Sequence, residues 1–234
     1  MKFLPFELMA DLFQKEQFRV IRYQRQISTA QQLLANDSSM KVERGLILIS
    51  ELSHAYPHLN QMTIDVITGF IRTSFNRTAS NNRYTGETLS IAVRLLTSIQ
   101  RCDPNGMPFH FDLCKIRISD ADLSRANFDY FFLAGCHFSN VILSHASFVN
   151  ADLGGVLFEN CNLEYANVAN AAIHVRSGKD ARPTRILGTR LRGINLEKAD
   201  LEYCELQNLD GISIENLDKK IADNKIRILD SCFG

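Results

Sequence analysis

An apolar residue returns at every fifth position through the second half of this 234-residue chain. The run holds without exception at Ile118, Leu123, Phe128, Leu133, Phe138, Leu143, Phe148, Leu153, Phe158, Leu163, Val168 and Ile173. Two residues before each of them stands a second residue that is apolar or small, from Ile116 to Ala171. Five residues turn an α-helix by about 140° and make an odd step along a strand, so neither element keeps these side chains on one side.

The chain must therefore bend once in each repeat, so that every five-residue unit turns its inner pair toward a common axis. This is a solenoid, whose units are stable only when stacked. The spacing breaks after Ile173 and resumes 13 residues later at Ile186. Because the residues between include Gly178, Pro183 and several charges, we predict an excursion from the coil over 174–185. The repeat then continues at Leu191, Leu196, Leu201 and Leu206.

Several repeats share one short motif. It is visible at Ala121-Asp122-Leu123-Ser124-Arg125, Ala126-Asn127-Phe128, Ala151-Asp152-Leu153-Gly154-Gly155 and Ala199-Asp200-Leu201. These stretches resemble the A-(D/N)-L-x-x signature of pentapeptide-repeat proteins. The resemblance implies a right-handed quadrilateral β-helix with four repeats in each turn, in which residues twenty apart stack in columns. Counted from Leu113 to Leu206, the 18 repeat centres imply about 4.5 turns and a rod about 22 Å long.

This geometry assigns places to the phenylalanines, of which the chain has 15. Phe128 should stack on Phe148 on one face and Phe138 on Phe158 on the opposite face, because the members of each pair are twenty residues apart. Large rings beside small partners fill a narrow core at native density. The predicted core of the repeat is Leu123, Phe128, Leu133, Phe138, Leu143, Phe148, Leu153, Phe158 and Leu163. The small inward sites also include Cys136, Cys161 and Cys204, which we predict to be buried thiols.

The first third of the chain has helical periodicity instead. Residues 6–35 predict one long helix whose apolar positions, seven apart, leave open a core helix or a coiled-coil seam. Further helices are predicted at 39–55, 59–74 and 86–101, the last with Thr85 as its N-cap. This order is similar to the helical segment that precedes the coil in a subgroup of bacterial pentapeptide-repeat proteins.

These observations predict a mixed fold. An N-terminal all-α domain occupies 1–108, the β-helix with its excursion occupies 109–217, and a short C-terminal helical cap occupies 218–234. A helix over 216–222 and a last strand over 225–229 would cover an edge that otherwise invites aggregation.

Charge and motifs exclude several function classes. The 26 basic and 26 acidic side chains balance, which argues against a basic nucleic-acid platform, and no direct nucleic-acid binding is expected. No phosphate loop, G-x-S-x-G elbow, H-E-x-x-H or C-x-x-C is present, so we predict no enzyme, cofactor or metal site. His54 and His58 have a metal-pair spacing, but Pro57 breaks the helix between them.

The first residues show no secretory signal, and no apolar run approaches the ~20 residues that cross a bilayer. We therefore expect a cytoplasmic protein. In many members of the subgroup named above, transmembrane helices come before the helical segment. This sequence shows no such helices, so we expect any contact with the inner face of a membrane to be peripheral.

Two charged segments are candidates for binding. The first helix has a basic stripe at Lys15, Arg19, Arg22 and Arg25. The stripe permits a solvated face or docking on an anionic membrane or on an acidic partner. The coiled-coil alternative for the same helix leaves self-association open. The excursion is a candidate interaction loop through Arg176, Lys179, Arg182 and Arg185.

The predicted function is a non-enzymatic interaction or scaffold module that binds protein partners of unknown identity through the faces of the β-helix and the helical domain. The alternative is a DNA mimic, because the resemblance implies that some pentapeptide-repeat proteins bind type II topoisomerases such as gyrase. Residues 113–173 and 186–217 each have six acidic and three basic side chains, a net charge of −6 together. This is mild beside a duplex with one charge per ~1.7 Å.

Overall fold

The computed structural model describes residues 6–75, 86–173, 183–197, 204–207, 210–211 and 226–228. Four helices come first: α1 (Phe6–Leu34), α2 (Ser39–Ala55), α3 (Asn60–Phe75) and α4 (Gly86–Ser98). Six short strands follow: β1 (Arg117–Ser119), β2 (His137–Ser139), β3 (Leu157–Glu159), β4 (Arg185–Leu187), β5 (Cys204–Gln207) and β6 (Ile226–Ile228). All six pair in parallel and in chain order, so the protein is an α-helical segment followed by a β-solenoid.

All four predicted helices are present, but α4 ends three residues before the predicted Arg101. Arg101 folds its side chain back on the end of α4, and Nη1 donates to the Ile99 carbonyl at 2.7 Å while Nη2 donates to that of Thr97 at 3.1 Å. The last carbonyls are thereby satisfied without a further helical turn. The predicted N-cap, Thr85, lies outside the described residues.

The apolar line of α1 belongs to the core of the helical segment. Tyr23, Ile27, Ala30 and Leu34 are buried. The Tyr23 hydroxyl donates to the Leu59 carbonyl at 3.0 Å and lies 2.6 Å from Thr63 Oγ1, and burial raises the pKa of this phenol. This line therefore packs against neighbouring helices of the same chain, which resolves the two alternatives left by the heptad spacing in favour of a core helix.

The strands stack as the five-residue spacing predicts. Ile118, Phe138, Phe158, Ile186 and Leu206 form one column across β1–β5, which gives about four turns. β6 adds a sixth strand at Ile226–Ile228 and confirms the predicted last strand. The predicted terminal helix over 216–222 lies outside the described residues, and the domain boundaries remain predictions.

The excursion is shorter than predicted at its far end. Residues 174–182 lie outside the described residues, but Arg185 already pairs in β4 with Leu157 of β3. Thr184 fixes the return, since its hydroxyl donates to the Leu153 carbonyl at 2.8 Å and accepts the Gly155 N–H at 2.9 Å. A buried threonine thus replaces backbone bonds where the chain re-enters the coil, and this explains why the excursion ends before Arg185.

The phenylalanines occupy the predicted places. Phe128 and Phe148 stack with ring centroids 5.0 Å apart, and Phe138 and Phe158 stack at 5.1 Å. The two columns also meet edge to face across the core, with Phe148 and Phe158 at 6.2 Å. All nine predicted core residues are buried. The inner residues of successive turns therefore form tightly packed stacks of rings and aliphatic groups, in which a change of side-chain volume is poorly tolerated.

The bends between faces have one backbone conformation. From Lys115 to Asn170 every fifth residue is left-handed; in the ten that are not glycine φ lies between 52° and 64°. On three of the four faces an Asx bond often precedes this corner, because an Asp or Asn side chain accepts the N–H two residues later. The residues that do so are Asp112, Asp122, Asn127, Asp152, Asn162, Asn167 and Asn195. This bond gives a local reason for the Asp or Asn of the repeat motif.

The first turn of the coil has no earlier turn to bond, and arginines of the helical segment take that place. Arg72 of α3 donates to the carbonyls of Cys114 at 2.7 Å and Asp112 at 3.1 Å. Arg94 of α4 donates in the same way to Asp122 at 3.1 Å and Ser124 at 3.4 Å. Each guanidinium fork therefore spans two alternate carbonyls of one face, a geometry that its fixed donors allow.

Arg101 and Gln61 complete this cap. Nη2 of Arg101 donates to the Asn127 carbonyl, and its guanidinium lies over the rings of Phe111 and Phe131, 4.7 and 4.9 Å from their centroids. Burial lowers the pKa of Arg101 to about 10. The Gln61 amide bonds both the N–H and the carbonyl of His110, at 2.8 and 3.1 Å. The helices thus supply a side-chain edge to which the first turn binds.

The inward cysteines behave as small apolar residues. The Cys136 thiol donates to the Leu113 carbonyl at 2.9 Å, and the Cys161 thiol donates to that of Phe138 at 3.4 Å. Burial raises the pKa of Cys136 to about 12 and that of Cys161 to about 11. Both are free thiols, as is the exposed Cys102. The prediction of buried thiols is confirmed for Cys136 and Cys161, whereas Cys204 has no described side chain.

Replacement of a central ring should destabilise the coil. Phe148→Ala removes a fully buried ring from between two others, so we expect a loss of about 3–5 kcal/mol of unfolding free energy. Equilibrium urea unfolding measures it. Val149→Ala, one residue away on the outer side, is the matched control and should lose about 1 kcal/mol or less. A loss below about 1 kcal/mol for Phe148→Ala would contradict the assigned register.

Thiol labelling should separate the inward Cys136 and Cys161 from the exposed Cys102. At pH 8 iodoacetamide should alkylate Cys102 in the folded protein and spare Cys136 and Cys161, because only the thiolate reacts. Unfolded thiols ionise near pH ~8.5, whereas burial raises the pKa of Cys136 and Cys161 in the folded protein. The free energy of unfolding should therefore fall as the pH rises above ~8.5. Peptide mapping by mass spectrometry locates the label. Alkylation of folded Cys136 as fast as Cys102 would show that the inward site is open to solvent.

Candidate interaction surface

The coil presents four outer faces, which we name by their inward centres. The strand face contains β1–β6. The second face has the centres Leu123, Leu143, Leu163 and Leu191; the third face has Phe128, Phe148, Val168 and Leu196; and the fourth face has Leu113, Leu133, Leu153 and Ile173. Only outward groups of these faces can meet a partner, because the centres are buried or nearly so.

Two side-chain pairs lie on the strand face. His137 Nε2 lies 2.9 Å from Glu159 Oε2, and Arg185 Nε lies 3.2 Å from Glu205 Oε2. Both pairs join neighbouring turns of the coil. An ion that is already paired gains less free energy from a charged partner than an unpaired ion does, so Arg185 and Glu205 are poor candidates for recognition by charge.

The third face is a polar ladder. The Asp129 carboxylate accepts from the Ser147 hydroxyl at 2.5 Å and from the Val149 N–H at 2.8 Å, while the Asn195 amide donates to Asn167 Oδ1 at 3.0 Å. These bonds tie the first turn to the second and the third turn to the fourth. The polar groups that make these bonds therefore stabilise the coil itself.

The second face combines exposed apolar, aromatic and cationic side chains. Ile142 is 45% exposed and Tyr165 is 48% exposed. Arg190 and Arg192 are exposed on the same face, and Arg125 is exposed at its corner. Exposed Tyr and Arg beside an aliphatic group is the composition found at energetic centres of protein interfaces.

A stacked pair of rings stands at the corner of the second and third faces. The ring centroids of His145 and Tyr165 are 5.1 Å apart and the rings are nearly parallel, at 12°. On the other side, a Cβ added at Gly193 would lie 2.5 Å from Tyr165 Cδ1, so the ring of Tyr165 rests on bare backbone. We name His145 and Tyr165 the aromatic ridge. Tyr165 is held between two neighbours and still presents half its surface.

Both ridge residues occupy an unfavourable backbone conformation. The φ of His145 is 59° and that of Tyr165 is 58°, where several other repeats have Asn or Gly. Left-handed φ is sterically disfavoured for residues with large side chains, so the ridge has a small local cost. The sequence prediction missed this surface, although the separation of His145 and Tyr165 by one twenty-residue turn was a signal that could have found it.

The structure describes the first of the two predicted charged segments in full and only one of the four predicted cations of the second. Lys15, Arg19, Arg22 and Arg25 are all exposed on α1, and Arg19 Nη1 lies 2.8 Å from Glu16 Oε1. Of the predicted interaction loop, Arg176, Lys179 and Arg182 lie outside the described residues, whereas Arg185 is in β4 and is paired with Glu205. Arg185 is therefore part of the coil and not of a loop.

Other site types have no geometric support in the described part of the chain. No three His, Cys, Asp or Glu side chains come together there as a metal site would require. His54 Nδ1 lies 2.7 Å from the Ser50 carbonyl of its own helix. Among the described helices, none is both long and apolar enough to cross a membrane.

The carboxylates of the first turn serve the cap. Asp122 accepts the Ser124 N–H at 2.9 Å and lies 3.2 Å from Arg94, and both contacts lower its pKa. Burial opposes ionisation of Asp112, but the N–H of Cys114 and the Arg72 cation outweigh it and lower its pKa as well. These two acids are therefore ionised at neutral pH and hold the arginines in place.

Comparison with known proteins agrees with this geometry. The family model described as pentapeptide repeats, in eight copies, matches residues 117–155 and 142–173. None of the curated proteins compared with the chain matches it.

Several solved structures resemble the coil at low identity. They include alr5209, a pentapeptide repeat protein from Nostoc (19% identity, 51% of this chain and 86% of that one, TM-score 0.37). Another is the pentapeptide repeat protein Rfr23 from Cyanothece (22% identity, 58% and 77%, TM-score 0.29). A third is QnrB1, a plasmid-mediated fluoroquinolone resistance protein (19% identity, 40% and 45%, TM-score 0.34), so this chain spans about half the length of QnrB1.

The family match covers the part of the coil in which the five-residue spacing, the left-handed corners and the stacked inner columns are all present. Residues 117–173 of this chain therefore belong to the pentapeptide-repeat family.

Proposed function

We propose that this protein is a non-enzymatic interaction module that binds a protein partner through the second face of its coil. The observation that supports the proposal is Tyr165, half exposed yet fixed between His145 and Gly193. A side chain that is already ordered loses little conformational entropy on binding. The aromatic ridge is thus suited to be the anchor of an interface.

The surroundings of the ridge indicate the chemistry of the partner. Ile142 provides an apolar contact, and Arg125, Arg190 and Arg192 provide guanidinium groups that pair well with carboxylates. The complementary surface has an apolar centre with acidic groups at its rim. The helical segment fixes the first turn and leaves the second face open from Ile142 to Arg192, so a scaffold role fits the same geometry.

The alternative of DNA mimicry has less support. A mimic of duplex charge needs acids that are free along one face, whereas Asp112, Asp122 and Glu205 have arginine partners within 4 Å and Glu159 is hydrogen-bonded to His137. The second face also has three arginines. We therefore place the function in recognition by the ridge and not in an acidic surface.

A pair of tyrosines offers a matched test. Tyr130 and Tyr165 are both exposed corner residues, with φ of 64° and 58°, but only Tyr165 belongs to the ridge. A partner captured by the immobilised full chain from its native cell should bind Tyr165→Ala at least about tenfold more weakly and Tyr130→Ala as well as the wild type. Calorimetry with the purified partner measures both.

Equal weakening by the two variants, or none by Tyr165→Ala, would contradict the proposed site. Inhibition of gyrase supercoiling that is the same with and without Tyr165 would favour the DNA-mimic alternative. Thermal unfolding verifies that both variants are folded, and each should change stability by about 1 kcal/mol or less.

A further inference from the structure

The first helix is longer than anything that packs on it. α1 has 29 residues and its antiparallel neighbour α2 has 17, lengths of about 43 and 25 Å. Because the two are joined at the end of α1, α2 cannot cover the first part of α1. Residues 14–19 are accordingly all exposed, including Phe18 at 67%. Ile21, three residues further along the same side of the helix, is also exposed, so the two form a contiguous apolar patch and not a single scattered side chain.

Phe18 belongs to a line of residues that we name the outer seam. It consists of positions 7, 11, 14, 18, 21 and 25, with the alternating steps of four and three that mark the contact line of paired helices. It lies opposite the buried line of Tyr23, Ile27, Ala30 and Leu34. Gln14, Phe18, Ile21 and Arg25 of the seam are exposed, Ile21 at 44%.

The charges of the outer seam are distributed by sign. Its first two positions are acidic in sequence, Glu7 and Asp11, and its last is Arg25, with Arg22 directly beside the seam. The apolar residues Phe18 and Ile21 lie between the two ends. A helix with this pattern is complementary to a second copy of itself that runs in the opposite direction.

The antiparallel register follows from the spacing. When position 7 faces position 25 of the second copy, position 11 faces 21 and position 14 faces 18. Glu7 then meets Arg25, Asp11 lies next to Arg22, and the two Phe18 rings pack near the centre. The two-fold axis repeats every contact, as an isologous interface requires.

We propose that the chain forms a two-fold dimer through the outer seam of α1, with the two helices antiparallel. Other occupants fit this surface less well. An anionic membrane or an acidic protein surface would attract the four cations of the basic stripe but repel Glu7 and Asp11. Neither would pair with the acidic end of the seam as a second copy does. The proposal is independent of the second face of the coil, which lies on a different part of the molecule.

Sedimentation equilibrium of the full chain, from about 1 to about 200 µM, tests the proposal because a dimer with this little apolar contact should dissociate within that range. Arg22→Glu with Arg25→Glu should weaken dimerisation at least tenfold, because like charges then face each other. Glu7→Arg with Asp11→Arg should do the same. An equimolar mixture of the two variants should regain the dimer, which misfolded chains could not do.

Lys41→Glu with Arg44→Glu on the exposed side of α2 is the matched control and should dimerise like the wild type. A wild type that is monomeric throughout, a dimer that survives both reversals, or a mixture that stays monomeric would each overturn the proposal. Binding of the monomeric wild type to vesicles of 30% phosphatidylserine, but not to neutral vesicles, would overturn it in favour of a membrane surface.

Discussion

A parallel coil always has a first turn, and the carbonyls on the outer side of that turn have no strand to receive hydrogen bonds from. Here arginine side chains act as the missing turn. Arg72 and Arg94 each bridge two alternate carbonyls of one face, and Arg101 reaches a third face while its guanidinium covers the rings of Phe111 and Phe131. The stack of repeats therefore begins on the helices, and its outer faces are positioned by them.

Inward and outward side chains of the coil have different roles. Inward groups are apolar and tightly stacked, so their identity is dictated by space. Several outward groups on the strand face and the third face bond neighbouring turns, as Glu159 and Asp129 do. The second face differs because Ile142, His145 and Tyr165 add exposed apolar and aromatic surface that the coil does not need for its own stability. This contrast is the physical basis of the proposed function.

The sequence predicts most of the fold because the repeat is a direct record of the inner columns. The spacing alone places Phe128 and Phe148 on one face, since residues one turn apart must stack. The predicted end of the excursion was less accurate. Thr184 ends it through a buried hydrogen bond to the Leu153 carbonyl, and nothing in the sequence around Thr184 indicates that bond. The arginine cap was missed for a related reason. Nothing local to Arg72 or Arg94 distinguishes it from a solvent-exposed helix cation, and its role depends on carbonyls at least 28 residues away.

The candidate surface was also beyond the sequence prediction, which favoured the cations of α1 and of the excursion. The stacking of Tyr165 on His145 follows from their separation by one twenty-residue turn, which the charge pattern does not reveal. The close approach of Gly193 does not follow from that turn, because the excursion shifts Gly193 to 28 residues along the chain. Composition and charge cannot detect an ordered ring, because order arises from packing.

Hydrogen exchange tests most directly whether the coil depends on its cap. We would compare the amides of the first turn, such as Leu113 and Leu123, with those of the third turn, such as Leu153, in the wild type and in the Arg72→Met/Arg94→Met variant. Arg117→Met, on the strand face of the same turn, is the control. The cap account predicts that the double variant loses protection first at Leu113 and Leu123 and progressively less toward Leu153. Unchanged protection of the first-turn amides in the double variant would contradict it.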